Sequence, residues 1–417
     1  MSARGEGART ARNGAPRGAA APAANFSDVS YEEAMRRARE LIPFFRGHAA
    51  ECEKARRLTP PVMEALNRSG LIRYLQPRAW GGMELPFVAY YDMPEMLSRG
   101  DISVGWTVHN LASHHRTVGW YERKAQEEVW GPNPDVCVAS GIAFQQGRGV
   151  PVDGGVMLSG EWNFSSGTDH SAWNLLACVL RQGSEPVDFL FCLVPLADYE
   201  VVDDWHVLGM RATSSKTVRC RDVFVPAHRT ISMQVGKPGH TWPGLKHNSN
   251  PHFRIPISAL GGHGIGGCLV GNARAALETT IDLVKSRSTS YTGAKMRDFQ
   301  TVQLRIGAAG AKIDAAGLLL RNDVLEATSI YEAGGTLDVE TRLRYKRNAA
   351  MAAKLTVEAV DSLQEMAGAN GLYDHYPLQR AFRDQHAAAG HFSFSVDAQL
   401  PPWGLVVLGG EFKSPTL

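Results

Sequence analysis

The stretch Trp205-His-Val-Leu-Gly-Met-Arg-Ala-Thr-Ser-Ser215, followed by Val218-Arg-Cys-Arg-Asp-Val-Phe-Val-Pro226, constrains the fold of this chain more than any other segment. Gly209 suits a close backbone approach, and Thr213, Ser214 and Ser215 line a turn with hydroxyls. Val218, Cys220, Val223 and Val225 then read as a half-buried strand, which Pro226 closes.

A chain of 417 residues is long for one domain and predicts two or three. Lys plus Arg is 44 against 42 Asp plus Glu, a balance that argues against nucleic acid as the main partner. The six cysteines at 52, 137, 178, 192, 220 and 268 lie far apart without a C-x-x-C pair. They suit reduced, buried thiols in a cytoplasmic protein, and neither a disulfide framework nor a metal site is expected. No apolar run approaches bilayer length, so no membrane association is expected.

Residues 1–25 form an Ala/Arg/Gly/Pro tail that buries too little apolar surface to order itself, and disorder is expected there. From Tyr31 the apolar period becomes helical through Ala34, Ala38, Leu41, Ile42 and Phe45, and a second helix follows Pro60-Pro61. Further helices are expected near 90–97 and 103–130. Between 136 and about 235 short β-type runs alternate with turns such as Asp153-Gly-Gly155, predicting a small barrel or sandwich. A loop over 236–255 leads into long Ala-rich helices over 256–417. Gly262-His-Gly264-Ile-Gly-Gly267 satisfies G-x-G-x-x-G, but no strand precedes it and the pattern runs on as helix. Close helix packing explains these glycines better than dinucleotide binding.

The W-x-x-L-G-M-R-x-T-x-S run and the D-V-x-V-P strand end resemble the middle-domain hallmark of the acyl-CoA dehydrogenase superfamily. That resemblance implies an α+β fold with an N-terminal helical domain (26–135), a central β-barrel (136–235) and a C-terminal four-helix bundle (256–417). In many dehydrogenases of this superfamily a Glu after an Arg-Asp element removes the substrate α-proton, a general-base role. Here the element is Arg380-Ala-Phe-Arg383-Asp384, and no Asp or Glu follows until Asp397; His391 stands roughly in the place of that base.

This pattern resembles the oxygenase components of two-component flavin-dependent aromatic monooxygenases, of the p-hydroxyphenylacetate hydroxylase type. Ser103-Val-Gly-Trp106 with His114 is similar to the family helix whose Trp lies near the flavin and whose His faces a substrate phenol. Ser140 falls where the family places a substrate-contacting Ser. Trp162-Asn-Phe-Ser165-Ser166-Gly167 resembles the strand whose Ser hydroxyl meets flavin N5, with Ser165 the first choice and Ser166 the second. The resemblance implies catalytic roles for His114, His391 and Ser140, and flavin contacts from Trp106, Ser165, Ser166, Arg287, Gly368 and Gly371. His115 beside His114 leaves the choice between the two histidines open by one position.

The implied reaction hydroxylates a phenolic or polycyclic aromatic substrate through a C4a-hydroperoxyflavin formed from reduced FMN (FMNH2), or FADH2, and O2. A separate NAD(P)H:flavin reductase would supply the flavin, and a homotetramer is implied. The chemistry fits these residue types: a dry aromatic pocket protects the reactive flavin, and a neutral imidazole can take a phenolic proton near physiological pH. The alternatives are an acyl-CoA dehydrogenase-type flavin enzyme acting on an acyl thioester, and an oxygenase acting at nitrogen or sulfur.

Overall fold

The computed structural model describes residues 24–234, 241–289 and 292–414. The expected disordered tail lies outside the described residues up to residue 23. Ala24 is held by its carbonyl, which accepts a hydrogen bond from the buried Arg73 guanidinium at 2.8 Å. Of the expected 236–255 loop, 236–240 lie outside the described residues; the remainder carries short 3-10 turns at Pro243–Lys246 and Pro251–Arg254.

Five helices come first: α1 (Tyr31–Ala55), α2 (Pro60–Ser69), α3 (Ala89–Ser98), α4 (Ile102–Val118) and α5 (Arg123–Trp130). Ser30 caps α1 by accepting from Glu33 N, and the prolines of α2 sit in its first turn, where no amide donor is needed. Every residue of α4 except Asn110 is buried, as expected of a helix enclosed by protein on all sides.

Eight strands follow: β1 (Cys137–Gly141), β2 (Gly147–Val152), β3 (Gly155–Ser165), β4 (Ser171–Gln182), β5 (Glu185–Pro195), β6 (Glu200–Val202), β7 (Lys216–Pro226) and β8 (Thr230–Ser232). They form one sheet in the order β6-β7-β3-β2-β4-β5-β8, with β1 pairing parallel to β4. The closed barrel expected from the resemblance is therefore corrected to an open sheet. Its two end strands, β6 and β8, are three residues each and pair on one side only. Each edge is pinned by a helix instead of by a strand. Glu128 of α5 holds His228 and Arg229 just before β8, and Arg56 after α1 holds Asp203 just after β6. Strand β4 is buried on both faces. Leu175 and Ala177 pack with Trp120, Tyr121 and Trp130, while Leu176 and Cys178 pack with Trp162, Val218 and Cys220.

Strand β7 shows why simple alternation from Val218 and Cys220 would turn Val223 and Val225 away from the core. Asp222 has φ +49°, and the register with β3 slips between Gly160 and Leu158. This bulge shifts the inward parity from even to odd positions, so Val225 is buried like Val218 and Cys220, and Val223 packs half-buried against the same core. All six cysteines are buried free thiols.

The chain then returns to helix: α6 (Ile257–Ser286), α7 (Gln300–Glu332), α8 (Val339–Ala367), α9 (Pro377–Ala389) and α10 (Val396–Val407). The G-x-G-x-x-G run lies inside α6, with no strand before it. Side chains at Gly264 and Gly266 would collide with His109 and Leu320, and one at Gly267 with the Tyr91 carbonyl. These glycines serve helix contact, as the sequence suggests. A buried polar lock joins three helices: His263 Nε2 meets Asp323 at 2.9 Å, and Asn348 donates to both oxygens of the same carboxylate at 3.0 Å. No helix among the described residues is long and apolar enough to cross a membrane.

One buried carboxylate ties the three regions together. Asp384 on α9 accepts from Met210 N at 2.6 Å, fixing the loop before β7. Gly209 packs directly under the Arg383 carbonyl, where a side chain has no room. Burial and then the charge of Asp101 push the Asp384 carboxyl up to about 7, with the Met210 amide and Arg380 opposing. Between the unfolded value of about 3.9 and about 7, the folded chain holds a proton that the unfolded chain releases. This group therefore contributes stability at low pH that is lost as pH rises through that window. Asp384→Asn keeps an acceptor for Met210 N and abolishes the titration. The melting temperature of the variant should gain on that of the wild type between pH 5 and pH 8; a pH-independent difference would contradict the assignment.

Candidate active site

Helix α4 starts at Asp101, whose carboxylate accepts from Ser103 N at 2.6 Å and Val104 N at 3.3 Å. Gly105 lets α4 lie against α3, since a side chain there would strike Ser98. The next residue, Trp106, is buried and reaches across to the end of β3, where its Nε1 donates to Ser166 Oγ at 3.2 Å. The His391 ring meets Trp106 edge-on, centroids 5.8 Å apart at 70°. Phe394 also lies against His391, ring centroids 5.9 Å apart. Trp106, Phe394 and Met210 belong to one apolar cluster. Residues more than 220 positions apart in sequence thus converge through α4, the end of β3 and the turn after α9.

The end of β3 is bent to present its serines. Phe164 has φ +63° and Gly167 φ +77°, and the register with β7 shifts between Trp162 and Ser165. Ser165 turns into the sheet, where Asn174 Nδ2 donates to its Oγ at 3.0 Å. Ser166 turns toward Trp106, and its Oγ lies 2.8 Å from Ser215 Oγ. Ser166, the second choice from the motif, is therefore the serine that meets Trp106, while Ser165 is engaged within the sheet. An alternating strand would have put them on opposite faces without saying which face met α4.

The neighbouring histidines separate cleanly. His114 Nδ1 lies 2.7 Å from the Val138 carbonyl of β1, and a carbonyl only accepts. Nδ1 therefore carries the hydrogen, and Nε2 is left as an acceptor. His115 faces α5, where Trp130 Nε1 donates to its Nδ1 at 3.0 Å. Ser140 lies two residues beyond Val138 on β1, on the same strand face by the two-residue period, and is buried. His391 has the opposite tautomer. Its Nδ1 accepts from Ser393 N at 3.2 Å, so in the neutral ring Nε2 carries the hydrogen. Burial pushes both imidazoles down to about 4, with the Val138 carbonyl partly opposing at His114. Both are neutral at physiological pH: His114 can accept a proton and His391 can donate a hydrogen bond.

The surroundings fit a ring with polar edges. Thr107 Oγ1 and Ser214 Oγ are buried without a hydrogen-bond partner among the described residues. Thr107 lies against Gly167, and Ser214 sits beside Ser215. Unpaired buried hydroxyls are uncommon and call for a partner. A flavin, with nitrogen and oxygen along its edge and an apolar face for Trp106, matches that demand. No group of side chains suited to a metal ion occurs among the described residues.

The other residues singled out lie elsewhere. Arg287 follows the end of α6, half-buried. Gly368 ends α8 at φ +59°, and Gly371 is packed on Gln364. No hydrogen bond or ring contact joins these three to Trp106, Ser166 or His391 among the described residues. The sequence reading missed Asp101 and Phe394. The first shows only as an N-cap residue ahead of the Ser103-Val-Gly-Trp106 run, and the second is one of several aromatics in its segment.

Residues 263–396 match the family model described as acyl-CoA dehydrogenase, C-terminal domain. The chain is 35% identical over 383 residues to the flavin-dependent monooxygenase oxygenase subunit HsaA of Rhodococcus jostii, covering 91% of this chain and 98% of the relative. It is 34% identical over 387 residues to the oxygenase component of the FADH2-dependent resorcinol hydroxylase of a Rhizobium species, covering 89% and 93%. The crystal structure of 3-HSA hydroxylase from Rhodococcus sp. RHA1 superposes with a TM-score of 0.88 at 33% identity, covering 92% of this chain and 99% of that one. Likeness at this level along nearly the whole chain, with no Asp or Glu between Asp384 and Asp397, settles the branch: the chain belongs to the oxygenase subunits of flavin-dependent monooxygenases built on the acyl-CoA dehydrogenase fold.

Proposed function

We propose that this chain binds reduced flavin between Trp106, Ser166 and His391 and uses O2 to hydroxylate a phenolic or polycyclic aromatic substrate. When bound, the reduced flavin supplies the electrons that activate O2. A separate NAD(P)H:flavin reductase delivers it, as FMNH2 or FADH2; the resorcinol hydroxylase relative is FADH2-dependent by name. The observation that carries the reading is the pair of buried neutral imidazoles in opposite tautomers.

Each residue has a distinct task. Nε2 of His114 accepts the phenolic proton, since a phenolate ring is the better nucleophile toward an electrophilic oxygen. Ser140, whose side chain shares a strand face with that of Val138, the residue whose carbonyl orients His114, contacts the substrate in this reading. Nε2–H of His391 donates a hydrogen bond toward the reacting oxygen. Trp106 and Phe394 keep water out. Asp384 is committed to Met210 N, and the segment 385–396 holds no Asp or Glu, which weighs against acyl thioester dehydrogenation.

The chain is also proposed to form a homotetramer in which Arg287, Gly368 and Gly371 reach a neighbour's flavin. Exposed leucines support this: Leu304, Leu318 and Leu325 on α7, and Leu405 and Leu408 on and just after α10. Sedimentation or light scattering should give about four times the 45.4 kDa of one chain; a monomer at micromolar concentration contradicts it.

Two predictions concern the histidines. His391→Ala should still bind reduced flavin and consume oxygen, yet release hydrogen peroxide, with hydroxylation about a hundred- to ten-thousand-fold slower. His391→Gln, which keeps an N–H donor, should recover part of the yield; wild-type product per oxygen in His391→Ala sinks the role. For His114, the neutral form is required, so kcat/KM should hold level from pH 8 down to pH 6 and fall only toward about 4. His114→Ala should abolish phenol hydroxylation, whereas oxygenation at nitrogen or sulfur would survive that substitution.

A further inference from the structure

Four side chains form a continuous hydrogen-bonded line behind the cleft. Trp106 Nε1 lies 3.2 Å from Ser166 Oγ, Ser166 Oγ 2.8 Å from Ser215 Oγ, Ser215 Oγ 2.7 Å from Thr213 Oγ1, and Thr213 Oγ1 2.8 Å from the Met210 carbonyl. The two ends fix the direction of every proton between them. An indole N–H can only donate and a carbonyl can only accept. The Met210 carbonyl also receives Trp205 Nε1 and Thr213 N, both at 3.2 Å, so the Thr213 hydroxyl is its shortest bond. With the Thr213 hydrogen spent there, Ser215 must donate to Thr213, and Ser166 must donate to Ser215. Ser166 then has its hydrogen turned away and one lone pair taken by Trp106. Its remaining lone pair is an acceptor. Ser166 is also the most exposed of the three hydroxyls, at 9% against 4% for Ser215 and 1% for Thr213, so the open lone pair belongs at the cleft end of the line.

We infer that Thr213 and Ser215 are positioning residues that hold the Ser166 hydroxyl as an acceptor toward the cleft, and that their alignment, beyond Ser166 alone, underlies the preference for reduced flavin that the proposed function requires. The inference rests on the proposed flavin site. Its chemistry is a donor–acceptor match. A reduced isoalloxazine carries a hydrogen on its central-ring nitrogen, where the oxidised ring presents a bare lone pair. An acceptor-only hydroxyl bonds the first and opposes the second. A freely rotating serine would serve either form, because its hydrogen could turn to meet the oxidised ring. Selection of the reduced form lets a diffusing flavin load in the state that reacts with oxygen and leave once it is oxidised.

The test is equilibrium binding to the full-length chain, without turnover, of oxidised FMN and of dithionite-reduced FMN under argon, with FAD as a parallel arm. The wild type should bind the reduced form more tightly. Ser215→Ala frees the Ser166 hydrogen, and Thr213→Val removes the end that orients the line. Each should lower the ratio of oxidised to reduced dissociation constants about tenfold, the scale of one hydrogen bond, without weakening the oxidised form. Ser215→Thr restores a hydroxyl and should restore the ratio. Circular dichroism checks folding, and Thr213→Val with Ser215→Thr decides the matter should Ser215→Ala not fold. Equal weakening of both forms with the ratio unchanged assigns these residues a purely structural role and overturns the inference. A wild type that prefers oxidised flavin overturns it too, because the line would then run the other way. A wild type that binds neither form defeats the flavin site itself, a separate and recognisable failure.

Discussion

The hydrogen bond from Met210 N to the buried Asp384 carboxylate is the contact on which the rest of the site depends. It joins the loop that carries Thr213 and Ser215 to the helix that delivers His391. Asp101, close enough to raise the Asp384 carboxyl, caps the helix that delivers Trp106 and His114. Three distant stretches of chain are thus registered against one another at a single buried carboxylate pair. Burying two carboxylates costs heavily unless they are bonded or protonated; here backbone amides offset part of that cost, and the raised pKa of each carboxyl reflects the remainder. The Asp384 carboxylate on α9 serves architecture, and the imidazole of His391 follows that helix two residues on.

Burial sets the state of the two imidazoles as well. An imidazole in water would be partly charged near neutral pH, and its tautomer would be free to exchange. Enclosure keeps His114 and His391 neutral, and one backbone contact at each ring decides which nitrogen holds the hydrogen. The same economy applies to the hydroxyl line, where an indole at one end and a carbonyl at the other leave the serines no choice of direction. Fixed donors and acceptors in a dry site need no reorganisation when charge shifts, which is the usual source of catalytic stabilisation.

Much of this was legible in the sequence because it is local. Gly209 reads as a point of close approach, and it lies under the Arg383 carbonyl. The glycines of α6 read as helix contacts because no strand precedes them. The helical, strand and helical stretches follow from their periods. What escaped depends on a third dimension. A single extra residue at Asp222 reverses strand parity, and this turns Val223 and Val225 toward the core that Val218 and Cys220 also face. Ser165 and Ser166 are indistinguishable by type, and only the bend at Phe164 and Gly167 decides which meets Trp106. Closure of the sheet turns on whether two three-residue edge strands pair. Ion pairs from α5 and from the residue after α1 hold those edges instead, and no periodicity records them.

The most direct test of the account is the fate of molecular oxygen. The purified chain, given photoreduced flavin under oxygen-18 gas with no nicotinamide and no reductase, should hydroxylate a simple phenol such as resorcinol or a bulkier aromatic analogue. Mass spectrometry should find one oxygen-18 atom in that product. Product oxygen drawn from water, or anaerobic oxidation of an acyl thioester by the same preparation, would contradict it.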